Sequence, residues 1–321
     1  MSYRVNAVMA FAVTCTLALP VSGQTYPNRA IRMVAPFAPG GATDFVARLI
    51  SQKLAERLGQ QVVVDNRSGA GGNIGFEIVV RAAPDGYTLM IASSSYATNA
   101  ALAPKLAFDP VKDVTAISLV GVAPLVLVVH PSVAARSIAE LVALAKAQPG
   151  RLKFGSSGTG ASPHLAGELL KASAGVNLLH VPYKGSGPAL IDTLSGQIDM
   201  TFISMLVVRS HINAGRLRLL GVGTPQRAKA LPDVPAIAET LPGFEATSWY
   251  ALMGPARMPS ALVARLNAEV NAVVKSPELT ERLASDAVEP RMISPEETAR
   301  HVAAEITKWR TVAQRAGVRI D

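Results

Sequence analysis

What most limits the fold of this chain is the order in which its apolar segments come. A short run, Ile31 to Pro36, gives way to a helical pattern from about Thr43 to Leu58, followed by Val62 to Asp65, a glycine-rich turn, a short helix and Thr88 to Ala92. Strands separated by helices do not pair as tight hairpins, so this rhythm predicts a parallel sheet covered by helices. Aromatic residues are 5% of the chain and hydrophobic residues 49%, so the core has to be built from Ala, Val, Leu and Ile, which suits such a sheet. After the runs Val114 to Val120 and Leu125 to His130, the rhythm restarts with a helix near Ile138 to Ala147. Further strands are expected at Leu152 to Gly155, Leu178 to Val181, Asp199 to Ser204 and Leu217 to Val222, with helices starting near Ser162, Ser186 and Ser204.

The tail adds a strand, Trp249 to Gly254, and helices over Pro259 to Lys275 and Pro295 to Ala316. If that strand returns to the first sheet, the chain crosses twice between two α/β lobes, near Gly121 to Pro124 and between about Leu231 and Ser248. Two crossovers make a hinge. The expected division is residues 24–123 with 248–321 in lobe 1 and 124–247 in lobe 2.

Residues 1–23 read as a cleavable signal peptide. Arg4 precedes an apolar run from Ala7 to Leu19 that is short for a bilayer span, and small residues lead to an expected cut between Gly23 and Gln24. An uncleaved anchor is the rival reading. Cys15, the single cysteine, falls inside this segment, so a mature chain beginning near Gln24 has neither disulfide nor lipid anchor. The expected compartment is the periplasm. The formal charge of +8 is dispersed, without a basic block, which argues against a nucleic-acid partner.

Two glycine-rich loops carry the candidate chemistry. The first, PFAPGGATD from Pro36 to Asp44, sits where a strand ends and a helix begins, the edge at which open α/β sheets bind ligands. Gly40 and Gly41 let backbone N–H groups approach an anion, and Thr43 or Asp44 can cap the helix. Taken alone, a plain strand-to-helix turn explains it too. The second, FGSSGTGASPH, repeats the arrangement in the other lobe, with Ser162 as expected N-cap before Pro163. Facing each other, the two loops can hold one carboxylate. Tyr183 in VPYKG is a candidate for the cleft wall and Lys184 for solvent, and SSSYATN, Ser93 to Asn99, reads as the equivalent loop of lobe 1.

Catalytic and cofactor motifs fail one by one. Neither loop is a P-loop, Ile74 and Pro163 interrupt G-x-G-x-x-G, Thr159 breaks G-x-S-x-G, and there is no H-E-x-x-H. His164 and Glu168 stand four apart on one helix but lack a third metal ligand. No cofactor, metal or catalytic residue is expected, and an enzyme on the same fold stands as the minor alternative.

The segments YPNRAIRMVAPFAPGGATD, LGQQVVVDNRSGAGGNIG, APDGYTLMIAS, LKFGSSGTGASPHLAGELL, HVPYKG, LPDVPAIAE and PGFEATSWYALMGPA occur in this order. In these the chain resembles the solute-binding proteins of tripartite tricarboxylate transporters, the Bug receptors, over essentially its whole mature length. The resemblance implies a periplasmic binding protein fold of type II, two α/β lobes joined by a two-stranded hinge, and a small carboxylate held in the cleft. It implies membrane permease subunits as partners of a monomeric receptor; a sensor kinase is the alternative partner. Carried over by motif, the ligand-binding residues are Phe37, Gly40, Gly41, Thr43, Asp44, Ser156, Gly158, Thr159, Gly160, Ser162 and His164, to which the residue reading adds Ser94, Tyr183 and Ile203. Ile203 stands where many members carry an acidic residue, and Arg209 where proline is common; both departures are expected to bear on ligand choice.

Overall fold

The computed structural model describes residues 26–102 and 106–316; the expected signal peptide, Cys15 and the cut at Gly23 lie outside them. In chain order the elements are β1 (Ile31–Ala35), α1 (Ala42–Leu58), β2 (Val62–Asn66), α2 (Asn73–Val80), β3 (Thr88–Ser93), α3 (Ser94–Leu102) and β4 (Val114–Val129). Then come α4 (Ile138–Ala147), β5 (Lys153–Ser156), α5 (Ser162–Ala174), β6 (Leu179–Pro182), α6 (Ser186–Leu194), β7 (Met200–Ser204), α7 (Met205–Asn213) and β8 (Arg218–Val222). The chain closes with β9 (Thr247–Pro255), α8 (Ser260–Val274), α9 (Pro277–Ser285), β10 (Glu289–Pro290) and α10 (Pro295–Ala316).

The strands run in the order β2-β1-β3-β9-β4-β7-β5-β6, with β10 and β8 each added to β4. Parallel pairs form where a helix intervenes, β1 with β2 and β3, and β5 with β6 and β7. The late strand β9 inserts antiparallel between β3 and β4, so the tail does return to the first sheet.

Burial on both faces explains the near-continuous apolar runs. Ile31, Met33, Leu89 and Ile91 point into one core with Val46, Ile50, Leu266 and Val270 from α1 and α8, while Val34, Met90 and Ala92 point into another with Phe76, Tyr96 and Trp309. Lobe 2 repeats this, with Leu127, Val129 and Phe202 on one face and Val126, Val128 and Ile203 on the other. A sheet with helices on both faces leaves no polar side to a central strand.

Three expectations need correction. The runs before and after Gly121 are not separate strands but one, β4, which pairs with β9 in the first half and with β7 and β8 in the second. Gly121 and Pro124 look like breakers by composition. Yet Gly121 gives β10 its approach, since a Cβ there would sit 2.8 Å from Glu289 O, and Pro124 pairs opposite Thr247 at the crossover. The hinge is therefore β4 beside the start of β9. Second, SSSYATN is no loop: β3 runs into α3 at Ser94. Third, α9 is a helix beyond those expected, although Ser276, Pro277 and Glu278 form a helix-start pattern.

Candidate ligand-binding site

The cavity between the lobes is walled by Phe37, Gly41, Ala42 and Thr43 at the start of α1, by Ser93 and Ser95, and by Ser157, Ser162 and Pro163 at the start of α5. Ser186 of α6 and, beneath, Leu125, Ile203, Ser204, Ser248 and Tyr250 complete it. No Asp, Glu, Lys, Arg or His side chain forms part of this wall. What it offers an anion is dipoles.

Three helices reach the cavity without a side-chain cap, because their N-cap residues are Gly41, Ala161 and Gly185. Without a side-chain acceptor at the N-cap, first-turn N–H groups of α1 and α6 stay free at the helix end where partial positive charge collects, whereas in α5 Ser162 N–H is taken by Ser95 Oγ, His164 N–H by Ala161 O, and Pro163 has none. This corrects the expected capping: Ser162, Thr43 and Asp44 lie inside their helices, not at the N-cap. Ser204 does cap α7, its Oγ accepting from Leu206 N–H at 3.4 Å.

Hydroxyls line the floor in one connected set that joins the lobes. Ser94 Oγ is 2.9 Å from Ser162 Oγ and 3.1 Å from Ser248 Oγ, and Ser162 N–H donates to Ser95 Oγ at 3.2 Å. The Tyr250 hydroxyl is hydrogen-bonded to Ser204 and Ser248; burial raises its pKa, and those two bonds offset part of the rise. A hydroxyl can turn from accepting to donating, so this set adapts to a bound carboxylate.

The lobes meet backbone to backbone at the cavity edges. Ala38 N–H donates to Lys184 O at 2.9 Å. A Cβ on Gly187 would lie 2.4 Å from Pro39 O, and one on Gly71 2.5 Å from Thr159 O. The space left between them is small, room for roughly two waters or one carboxylate group.

Of the residues singled out by sequence, Phe37, Gly41, Thr43, Ser162 and Ile203 face this cavity, with Ile203 1% exposed at its floor. Gly40, Ser94, Ser156, Gly158, Thr159 and Gly160 stand behind it; φ is 131° at Gly158 and 82° at Gly160, which suits glycine and shapes the second loop. Asp44 is turned away, accepting from Gly40 N–H at 3.1 Å, Arg48 Nε at 3.1 Å and Asn66 Nδ2 at 2.9 Å. Burial alone would raise its pKa, but these bonds outweigh burial and hold it below the ordinary carboxylate range. Tyr183 is not in the wall either: its hydroxyl donates to Asp192 Oδ2 at 2.6 Å, and burial, then Asp192, pushes it up to about 12. His164 packs under the second loop, and Glu168 beside it is gripped by Lys171 Nζ at 2.8 Å. Arg209 also leaves the cleft, donating to Asp286 Oδ1 at 2.8 Å, so its expected bearing on ligand choice has no direct contact behind it.

Sequence reading did not name Ala42, Leu125, Ser157, Pro163, Ser186, Ser204, Ser248 or Tyr250 as wall residues, and reached Ser93 and Ser95 only as part of the polar SSSYATN segment. Ser186 and Ser204 had a signal, a hydroxyl at a strand-to-helix junction. Ser248 had none, since it is 154 residues from Ser94 in the chain.

A family model described as tripartite tricarboxylate transporter family receptor matches residues 46–318. The chain belongs to this receptor family. Among its relatives is BugT of Bordetella pertussis, 38% identical over 321 residues, covering 99% of this chain and 98% of BugT. Its fold is similar to that of Rpa4515 of R. palustris, solved with adipate, at TM-score 0.88 and 38% identity over 92% of this chain and 99% of that one. MatC from Rhodopseudomonas palustris, with bound malate, gives TM-score 0.85 and 32% identity over 89% of this chain and 99% of that one. The family is one of substrate-binding receptors, and the hinged two-lobe α/β fold of periplasmic binding proteins is the fold of this chain.

Proposed function

We propose that this receptor captures one small carboxylate between its lobes in the periplasm, hands it to the membrane permease subunits of a tripartite tricarboxylate-type transporter, and catalyses no reaction. The observation that carries the reading is the convergence of the uncapped starts of α1 and α6 and a set of hydroxyls, Ser162 at the start of α5 among them, on a cavity without a charged side chain. Backbone N–H groups satisfy a carboxylate without demanding a counter-ion, and the wall holds no general acid or base of altered pKa apart from the buried phenol of Tyr250. Adipate and malate in two related structures mark the ligand class. The apolar remainder, Phe37, Leu125, Pro163 and Ile203, suits a hydrocarbon or ring attached to that carboxylate.

Opening precedes capture, because Ala38 N–H bonds Lys184 O across the lobes and the space between them is smaller than a whole dicarboxylate or aromatic acid, so the lobes part to admit it and re-close less tightly around its hydrocarbon. The proposed moving units are residues 24–123 with 248–321 and residues 124–247, and the signal peptide 1–23 directs export of a monomeric receptor. Mass spectrometry of ligand released from freshly purified protein, with calorimetric titration of adipate, malate, benzoate and glutamate, tests the reading. Binding of at least one carboxylate supports it; a panel without binding, and no released acid, overturns it. Intact mass in periplasmic extract tests export, a retained Met1 to Gly23 being the contrary result.

A further inference from the structure

Beneath the second loop lies a pair of imidazoles that ligand contact does not explain. His164, in the first turn of α5, and His180, in β6, stack with ring centroids 4.0 Å apart and planes at 25°, and Phe154 stacks on His180 at 4.9 Å. Gly167 makes room for the phenyl ring, since a Cβ there would sit 2.2 Å from it. Each imidazole holds one end of the loop. Gly160 N–H donates to His164 Nδ1 at 3.2 Å, and Ser156 Oγ lies 2.7 Å from His180 Nε2. From the opposite lobe, Thr98 Oγ1 donates to Gly160 O at 2.7 Å.

The first of these bonds decides a protonation state. Nδ1 accepts only while it carries no proton, so His164 is the neutral ring with its proton on Nε2. A proton added at Nδ1 makes it a donor facing the Gly160 N–H, and the tie is lost. It also places a cation against the second ring. The charged groups facing the pair are Glu168, 3.8 Å from His164 Nε2, and Lys171, which is itself paired with Glu168. Beside β6, Asp192 is engaged by Tyr183. Burial first, then Lys171, lowers His164 to about 4; burial first, then His164, lowers His180 to about 4.

We propose that the stacked His164 and His180 are positioning residues for the second ligand loop, holding it through Gly160 and Ser156 in the shape that receives the carboxylate and releasing it when protonated. This rests on the reading of that loop as part of the ligand site.

The test uses the mature chain with three variants. His164→Asn keeps an acceptor near the Nδ1 position without a titrating group, His164→Leu removes the acceptor, and His180→Phe keeps the stack but not the contact with Ser156. The Gly160 amide resonance is followed without ligand from pH 7.5 to 4, and dissociation constants for adipate, malate and benzoate are measured over the same range. Expected is a displaced Gly160 resonance and about tenfold weaker binding in His164→Leu. Expected too are near wild-type values in His164→Asn at pH 7.5, and an acid loss of affinity in the wild type that His164→Asn reduces. A Gly160 resonance and a dissociation constant unmoved by His164→Leu overturn the proposal, as does a displaced resonance with unchanged affinity. If none of the three acids binds the wild type, the ligand reading fails, and the resonance alone still decides whether His164 positions the loop.

Discussion

Arg209 of α7 donates its Nε to Asp286 Oδ1 at 2.8 Å, an ion pair that ties lobe 2 to the segment between α9 and β10 of lobe 1. Asp286 is 4% exposed and has Arg282 as a second, longer partner at 3.5 Å. A buried pair is costly to break from one side and far less costly to remove whole. Arg209 keeps 34% of its side chain exposed, so Arg209→Ala is expected to cost about 2 kcal/mol of stability, less than breaking a fully buried pair, and the double variant Arg209→Ala with Asp286→Ala to recover most of it. Chemical denaturation of the three proteins is the check; additive losses would refute the pairing. Because the pair spans the lobes, the single variant is also expected to weaken ligand binding.

Closure has its own test at Gly187. Its backbone is not in the left-handed region, so alanine is tolerated there in an open chain, but the added Cβ would lie 2.4 Å from Pro39 O of the other lobe when closed. Gly187→Ala is expected to keep the melting temperature within a few degrees while binding carboxylate about tenfold more weakly or worse. Small-angle scattering with saturating ligand should then show less compaction than in the wild type. Full compaction and full affinity in the variant would mean that the two backbones do not meet in the bound state.

Ligand charge has its test at Ile203, in the cavity wall. Ile203 is 1% exposed there and supplies no counter-charge, so an ammonium would lie poorly solvated against it. Acids without an α-amino group, a dicarboxylate or an aromatic acid, are expected to bind better than glutamate or aspartate, and Ile203→Asp should weaken them by tenfold or more on the order of one buried like-charge contact. Calorimetric titration of both ligand classes decides this. Glutamate as the tightest ligand of the wild type would end the argument.

Acid stability follows from the same histidines that hold the second loop. Both are near 4 in the folded chain against 6.5 for a free imidazole. Between those values the unfolded chain binds protons that the folded chain does not, so stability is full above about pH 6.5 and falls as the pH drops towards 4. The well-buried His164 accounts for a loss of up to about 3 kcal/mol, and the only partly buried His180 for less. Urea denaturation at pH 7.5, 5.5 and 4.5 should show the midpoint falling, with a shallower fall in His164→Asn. A midpoint independent of pH in the wild type would contradict it.

Local order is legible in the amino-acid sequence itself. Alternation of β-branched runs with helical periods marks β1, α1, β2 and β3 because side-chain direction repeats over two or 3.6 residues within one segment. Gly40, Gly158 and Gly160 mark loops at strand ends because the left-handed conformations they adopt are open to glycine as a property of the residue itself. Tertiary structure alone decided that Gly121 and Pro124 lie inside one strand, since only the approach of β10 and the pairing with Thr247 reveal why those residues are there. It alone turned Asp44 towards Arg48 and Asn66, and Arg209 towards Asp286. It alone joined Ser94 to Ser162 and Ser248 across 68 and 154 residues of chain. A short-range pattern records what a residue can do, whereas its partner is set by how distant strands are ordered in the sheet, and that order has no period to read.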